Sequence, residues 1–336
     1  PVISGERLFL TAADHLVRQI LCFDTNTGKL LWEHGVDSVA EHEIPRVLEE
    51  TGYAAPTPIT NGDHIVAVFA TGELVCVNLR GERVWSKQVG SPKSHYGHAS
   101  SLISDGDRVI VQYDQKENSK LLAFEIASGK PAWEVKRDAI SWSSPILVDN
   151  NDRAEVILTN CKAVDSYDPK SGKLLWRVEC LYGEVAPSAA YADGTVFVAS
   201  EGAPATALDV RKHDEEPKTL WEWDEALPDA ASPVATKDLL IVPTAFGVVT
   251  CLDAKTGKAL WEHEFDKGFN SSPIVVGDRV YITDMSGTTQ IFRMGKKFEL
   301  MGTASVNEAV YATPAFSGDQ IFVRGLTHLY CIKNQE

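Results

Sequence analysis

Residues 251–261 read CLDAKTGKALW, and this phrase decides the fold because it recurs along the whole chain. Two close copies are CFDTNTGKLLW, which ends at Trp32, and YDPKSGKLLW, which ends at Trp176. The weaker copies are VNLRGERVW at Trp85, FEIASGKPAW at Trp133, LDVRKHDEEPKTLW at Trp221, and IFRMGKKFEL with Phe298 in the place of Trp. Self-similarity at a period of about 40–50 residues is typical of propellers and solenoids.

A second phrase precedes the first in each repeat: a Ser or Ala, then Pro, then alternating apolar residues, as in SSPIVVGDRVYIT from Ser271. The alternation at Val280 and Ile282, and again at Val196 and Val198, predicts a half-buried second strand. The Gly of Thr-Gly-Lys supplies the positive φ that a short hairpin needs between the third and fourth strands. Each repeat is therefore predicted to be a four-stranded antiparallel meander.

Counting the Pro phrases gives the number of blades. The predicted blades start near residues 1, 55, 100, 143, 187, 232, 271 and 313. We therefore predict an all-β, eight-bladed β-propeller that occupies residues 1–336 as a single domain. The last repeat stops after its third strand, so we expect an incomplete closing blade whose missing strand comes from residues upstream of Pro1.

The AxDxxTGKxxW phrase resembles the tryptophan-docking repeat of propellers of the pyrroloquinoline-quinone (PQQ) type, and the chain is similar to the stand-alone, BamB-like members of that group. The resemblance implies a non-catalytic binding scaffold of the bacterial periplasm or cell envelope, with a protein or peptide as its partner. We expect a monomer. Because propellers carry many unrelated functions, the fold is implied far more firmly than the chemistry.

The six repeat tryptophans lie at equivalent outer-strand positions, so they are spread around the ring and do not converge on one ligand. We predict that each indole packs between its own blade and a neighbour, the docking role that the resemblance also implies. These residues are Trp32, Trp85, Trp133, Trp176, Trp221 and Trp261.

Meander geometry decides which connections lie together. The loop between the second and third strands and the connection to the next blade share one end of each sheet, which we call its loop end. The turn between the first two strands and the Thr-Gly-Lys turn share the opposite, turn end. The loop ends also carry an acidic insertion, Asp37 to Thr51, that contains His42 and Arg46.

Aromatic and polar residues just before the Pro phrases are predicted to ring a channel mouth at the loop ends. The predicted contact residues are Tyr53, Tyr96, His98, Trp142, Glu184, Asn270, Tyr311 and Arg324. Asp229 lies at the equivalent position of another blade, and Phe246 and Asp284 follow second strands as Arg324 does. Such a set suits a ligand site, although the same residues would also serve to plug the channel.

Composition and motifs exclude several functions. With 47 acidic against 32 basic side chains and a formal charge of −15, the chain is a poor match for nucleic acid or anionic membrane, and no apolar run is long enough for a membrane span. No Gly-Lys is followed by Ser or Thr, and Gly-x-Ser-x-Gly does not occur. His95 and His98 lack identifiable further zinc ligands, so no metal site is predicted.

Two functions are left after these exclusions. The first is a protein- or peptide-binding module without catalytic residues. The second is a small-ligand or glycan-active propeller, for which Glu184 and Asp229 are the candidate carboxylate pair. Quinone-dependent dehydrogenase activity is less favoured, because no Cys-Cys pair and few cations accompany the mouth residues. We therefore predict that PQQ does not bind.

Overall fold

The structure is a computed structural model that describes residues 1–37, 39, 44–48 and 51–333. The chain is all-β, with eight antiparallel sheets in a propeller arrangement, which confirms the predicted fold class. Each sheet starts within four residues of its predicted position. We number the sheets in chain order as blades 1 to 8. Across the described residues, no helix is long and apolar enough to cross a membrane.

The contacts divide the chain into two compact units, residues 1–147 with 167–173, and residues 148–166 with 174–336. The first unit contains blades 1 to 3. Their strands are β1 (Val2–Ser4), β2 (Arg7–Ala13), β3 (Arg18–Asp24) and β4 (Leu30–Gly35); β5 (Ile59–Thr60), β6 (His64–Val68), β7 (Glu73–Asn78) and β8 (Arg83–Gln88); and β9 (Ile103–Ser104), β10 (Arg108–Tyr113), β11 (Lys120–Glu125) and β12 (Pro131–Lys136).

Blade 4 contributes residues to both units. Its strands are β13 (Ile146–Asn150), β14 (Arg153–Thr159), β15 (Val164–Tyr167) and β16 (Leu174–Val178).

The second unit contains blades 5 to 8. Their strands are β17 (Ala190–Ala192), β18 (Thr195–Ser200), β19 (Ala203–Asp209) and β20 (Lys218–Trp223); β21 (Val234–Ala235), β22 (Leu239–Pro243), β23 (Val248–Asp253) and β24 (Ala259–Glu264); β25 (Ile274–Val276), β26 (Arg279–Thr283), β27 (Thr288–Arg293) and β28 (Leu300–Ser305); and β29 (Ala315–Ser317), β30 (Gln320–Arg324) and β31 (Leu329–Lys333). Blade 8 has three strands among the described residues, as predicted for the last repeat.

The second strands are more deeply buried than their alternation predicted. In β18, Val196, Phe197 and Val198 are all buried, because blades pack face to face and cover both sides of the sheet. Phe197 belongs to a core cluster that also contains Leu240 and Leu252, from the next blade. The prediction of half-burial holds in β26, where Tyr281 is half-exposed between buried neighbours.

The turns at Gly81, Gly129, Gly172 and Gly257 fold against the tryptophan of the preceding blade. The Asp253 side-chain oxygen Oδ1 accepts hydrogen bonds from the backbone N–H groups of Lys255 and Thr256, both at 3.1 Å. Gly257 has a φ of +71°, and a Cβ atom added there would lie 2.6 Å from an indole carbon of Trp221. Glycine is therefore required at this turn for two reasons, the backbone conformation and the close approach.

Five of the six repeat tryptophans donate their indole N–H to a backbone carbonyl of the following blade. The pairs are Trp32 with Leu79, Trp85 with Ile126, Trp133 with Pro169, Trp221 with Ala254, and Trp261 with Gly295.

Trp176 differs, because its indole N–H donates to the Glu155 carboxylate of its own sheet at 2.8 Å. Asn150 Nδ2 in turn donates to Glu155 at 2.9 Å and to the carbonyl of Val210 at 2.7 Å. The link from Trp176 to the next blade therefore runs through two polar side chains.

Candidate functional site

The loop ends of blades 2 and 3 bring together Tyr96 and Trp142, two of the residues predicted for a site. Their rings meet edge to face, with centroids 5.3 Å apart and planes at 70°. The Ser94 hydroxyl accepts hydrogen bonds from the Trp142 indole N–H at 3.1 Å and from the Tyr96 backbone N–H at 3.2 Å. Both residues are half-buried, so part of each remains accessible to solvent.

Residues 44–48 of the insertion contact the chain on both sides of Tyr96. The Leu48 backbone N–H donates to the His95 carbonyl at 3.0 Å, and the Tyr53 hydroxyl donates to the Pro45 carbonyl at 3.1 Å. A Cβ atom added at Gly97 would lie 2.9 Å from a methyl group of Val47. Tyr53 therefore contacts the 44–48 segment directly. Arg46 is exposed, and His42 lies outside the described residues.

His98, predicted to contact a partner, lies inside the protein with only 3% of its surface exposed. Its Nε2–H donates to the Gly90 carbonyl at 2.9 Å, and its ring packs at 5.5 Å from that of Tyr113. Burial lowers the pKa of His98 to about 4, since the charged imidazolium would lose its water. The His98 imidazole is therefore neutral, and it stabilises the loop from inside. His95, in contrast, is exposed.

The predicted residues of the second unit are spread over four connections between blades and the end of β30. Glu184 and Asp229 are exposed, Asn270 is half-buried, and Tyr311 is 40% exposed. Arg324 is half-buried, and burial lowers the pKa of its guanidinium. Within the described residues the structure gives Arg324 no ion pair.

Two loop residues that the sequence singled out have opposite environments. Phe246 is 77% exposed at the loop end of blade 6. Asp284, in the corresponding loop of blade 7, is buried, and its Oδ1 accepts hydrogen bonds from the Ser286 hydroxyl and the Thr288 backbone N–H. Asp284 therefore shapes its turn.

Sequence reasoning missed other exposed apolar residues at loop ends. Tyr182 is 59% exposed, Leu326 is 67% exposed, and Leu16 is 55% exposed beside Val17 at 49%. The signal was available for Leu16 and Val17, because an apolar pair within a turn that begins at Asp14 buries nothing in the sheet.

Among the described residues, no group of three or more His, Cys, Asp or Glu side chains is arranged to hold a metal ion. PQQ carries three carboxylates and would need several cations or a metal beside it. Arg324 is the cation that the predicted residue set offers, so these residues do not fit that cofactor.

The antiparallel blades and the tryptophans that link them define a β-propeller with PQQ-type repeats. A family model described as "Outer membrane protein assembly factor BamB" matches residues 1–154 and 209–297. Since this is more than half of the chain, the protein belongs to that family.

Individual relatives are distant. The chain is 23% identical over 251 residues to the outer membrane protein assembly factor BamB of Salmonella typhimurium, a match that covers 70% of this chain and 62% of that protein. The crystal structure of BamB from Moraxella catarrhalis superposes with a TM-score of 0.70 at 16% identity, covering 96% of this chain and 92% of the other.

A europium-containing methanol dehydrogenase superposes equally well, with a TM-score of 0.70 at 11% identity, over 96% of this chain and 81% of its own. At such identities the structural similarity establishes the fold alone.

Proposed function

We propose that the protein is a non-catalytic docking scaffold of the bacterial periplasm or cell envelope that binds a protein partner in outer-membrane protein assembly. The Tyr96–Trp142 pair carries this proposal. Rigid, half-exposed aromatic side chains lose little conformational entropy on binding, and residues of this type dominate the energies of protein interfaces. Family membership supplies the class of partner, because the relatives are named as outer membrane protein assembly factors.

The way in which the pair is held also supports docking. The Ser94 hydroxyl holds the Trp142 indole and the backbone of Tyr96, and the Tyr53 hydroxyl bonds the 44–48 segment at Pro45. An interface anchor prepared in this way avoids the cost of ordering side chains on association. We propose that Tyr53, Tyr96 and Trp142 form the contact region of the first unit, and that Glu184, Asn270, Tyr311 and Arg324 contribute contacts from the second. His98 is left out because it is buried.

Site-specific photo-cross-linking in the native bacterium tests the proposal. Benzoylphenylalanine is introduced at Tyr96 of the full-length protein, or at Lys130, an exposed residue at the turn end of blade 3. We expect position 96 to form an adduct with a protein of the outer-membrane assembly apparatus, and position 130 to form none. Equal adducts at both positions, or no adduct at position 96, would contradict the proposal.

We also propose that the protein functions without PQQ, in contrast to the dehydrogenases that share its fold. The support is the lack of fit between the predicted residue set and a tricarboxylate cofactor. Titration with PQQ and Ca²⁺, followed by tryptophan fluorescence, is expected to give no saturable quenching. Saturable quenching at micromolar PQQ would instead favour the small-ligand function.

A further inference from the structure

We propose that a lateral groove between blades 2 and 3 binds an acidic peptide segment in an extended conformation. The groove lies between the end of β8 and strands β10 to β12, and its volume of about 620 Å³ is in the range of ligand sites. This inference does not rest on docking at the Tyr96–Trp142 pair.

The charge of the groove differs from that of the protein. The whole chain carries 32 basic against 47 acidic side chains, whereas residues 80–137 carry ten Lys and Arg against seven Asp and Glu. The groove itself contains Lys87 and Lys120 against Glu134. A positive groove on a strongly negative protein attracts anionic ligands selectively, because other surfaces repel them.

Lys87 is the residue that we expect to bind a carboxylate of the ligand. It is half-buried, and its Nζ lies 5.7 Å from the centroid of the Phe124 ring. Among the described residues, no carboxylate is paired with this ammonium group. Lys120, in contrast, forms an ion pair with Glu134 at 2.8 Å. A ligand carboxylate would therefore find its partner in Lys87.

The remaining walls suit a peptide. The phenol ring of Tyr113 lines the groove while its hydroxyl donates to the Ser91 carbonyl, and the Gln88 side-chain oxygen accepts from the Gly90 backbone N–H. Apolar ring surface and an amide NH₂ are then available to a ligand. β8 is also the outer strand of its sheet, paired with β7 alone among the described strands. An outer strand offers backbone hydrogen-bonding groups to an extended chain.

A second groove provides an internal comparison. In the other unit, a cavity of about 530 Å³ is lined by Lys162, Glu179 and Glu222. Its carboxylates outnumber its lysine, so it would repel an acidic peptide. The preference for an acidic ligand is therefore a property of the residues in the groove of blades 2 and 3, and the groove of the other unit does not share it.

The test is fluorescence anisotropy with a fluorescein-labelled hexapeptide of alternating Glu and Val. We expect saturable binding at low ionic strength that weakens as salt is added. A hexapeptide of alternating Lys and Val should not bind. Lys87→Gln should raise the Kd by about tenfold, whereas Lys87→Arg, which keeps the cation, should bind as the wild type does.

The matched control is Lys130→Gln, which removes the same charge from an exposed site in the same unit. Its Kd should change by less than about twofold. Melting temperatures establish that the variants fold. The proposal is overturned if the Glu–Val peptide does not saturate, or if Lys87→Gln and Lys130→Gln weaken it equally. The cross-linking experiment at Tyr96 does not depend on contacts of Lys87 or Lys130. The peptide-binding experiment and the cross-linking experiment can therefore fail independently.

Discussion

The turn ends and the loop ends of the same sheets use their polar groups in different ways. At the turn ends, Asp24, Asp168 and Asp253 each accept hydrogen bonds from two following backbone N–H groups and one hydroxyl in the same pattern. At the loop ends of blades 2 and 3, Ser94 serves two aromatic residues instead. Repetition thus fixes the turns, whereas the loops depart from the repeat, and this is why we propose that recognition lies at the loop ends.

Turn ends and loop ends should also differ in what they contribute to the free energies of folding and binding. A turn residue that is bonded to the backbone, or that packs on a docking tryptophan, contributes to stability. A half-exposed aromatic pair contributes little to the core and retains surface for binding. Changes at turn ends should therefore affect unfolding, and changes at loop ends should affect association.

The largest effect is expected for Gly257→Ala. The substitution combines an unfavourable positive φ with a Cβ atom 2.6 Å from Trp221, and we expect a loss of about 3–4 kcal/mol in the free energy of unfolding. Gly277→Ala is the control, because Gly277 has a φ of +64° and nothing within 4 Å of an added Cβ. Its loss should be near 1 kcal/mol. Equal losses in urea unfolding would show that the contact with Trp221 is unimportant.

His98 should make stability depend on pH although it lies at a loop end. Its pKa in the folded protein is about 4, below the ordinary value of 6.5. The unfolded chain therefore takes up the proton first, so the stabilisation is complete above pH 6.5 and is lost as the pH falls towards 4. The loss is about 3 kcal/mol, and His98→Gln should lack it. Parallel stability profiles for the two proteins between pH 6.5 and 4.5 would exclude this role.

An intermediate effect is expected for Asp253→Ala at a turn end. The substitution leaves the backbone N–H groups of Lys255 and Thr256 without their acceptor, and we expect a loss of about 1–2 kcal/mol in the free energy of unfolding. Asp253→Asn keeps an acceptor oxygen and should retain most of the stability. If Asp253→Asn unfolds as easily as Asp253→Ala, the hydrogen bonds are not the cause.

The smallest effect is expected for Lys258→Ala. The side chain is exposed in the same turn and no hydrogen bond from it is described, so stability should change by less than about 0.5 kcal/mol. The affinity for the partner should also stay within twofold of the wild type, because a remote surface charge contributes only about 0.4 kcal/mol to binding. A larger change in affinity would place recognition at the turn ends.

Much of the fold could be predicted because each repeat contains a turn glycine, a Pro phrase and, in most copies, a tryptophan. The conformations that these residues favour depend mainly on local sequence. The exception at Trp176 could not be predicted from the repeat. Its partner Glu155 belongs to β14, where an acidic residue interrupts an apolar strand. The hydrogen bond from Asn150 to Val210 replaces the usual contact of tryptophan with backbone, and this depends on packing between blades.

The sequence grouped residues at the loop ends, but it could not predict which of them are exposed. Tyr96 and His98 are two residues apart and were assigned the same role, yet one is half-exposed and the other is buried. Gly97 lies between them with a φ of +59°, which turns the chain so that the two side chains enter different environments. Alternation along a sequence does not reveal such a turn inside a long connection.

The central claim is that recognition lies at the loop ends, and the most direct test is the affinity of Trp142→Ala for the protein captured by cross-linking at position 96. Removing an aromatic anchor should cost about 1–3 kcal/mol, which raises the Kd by roughly 5- to 150-fold, with little change in the melting temperature. Lys258→Ala, measured in parallel, should bind as the wild type does. If Trp142→Ala keeps full affinity, or if Lys258→Ala loses as much, recognition does not lie at the loop ends.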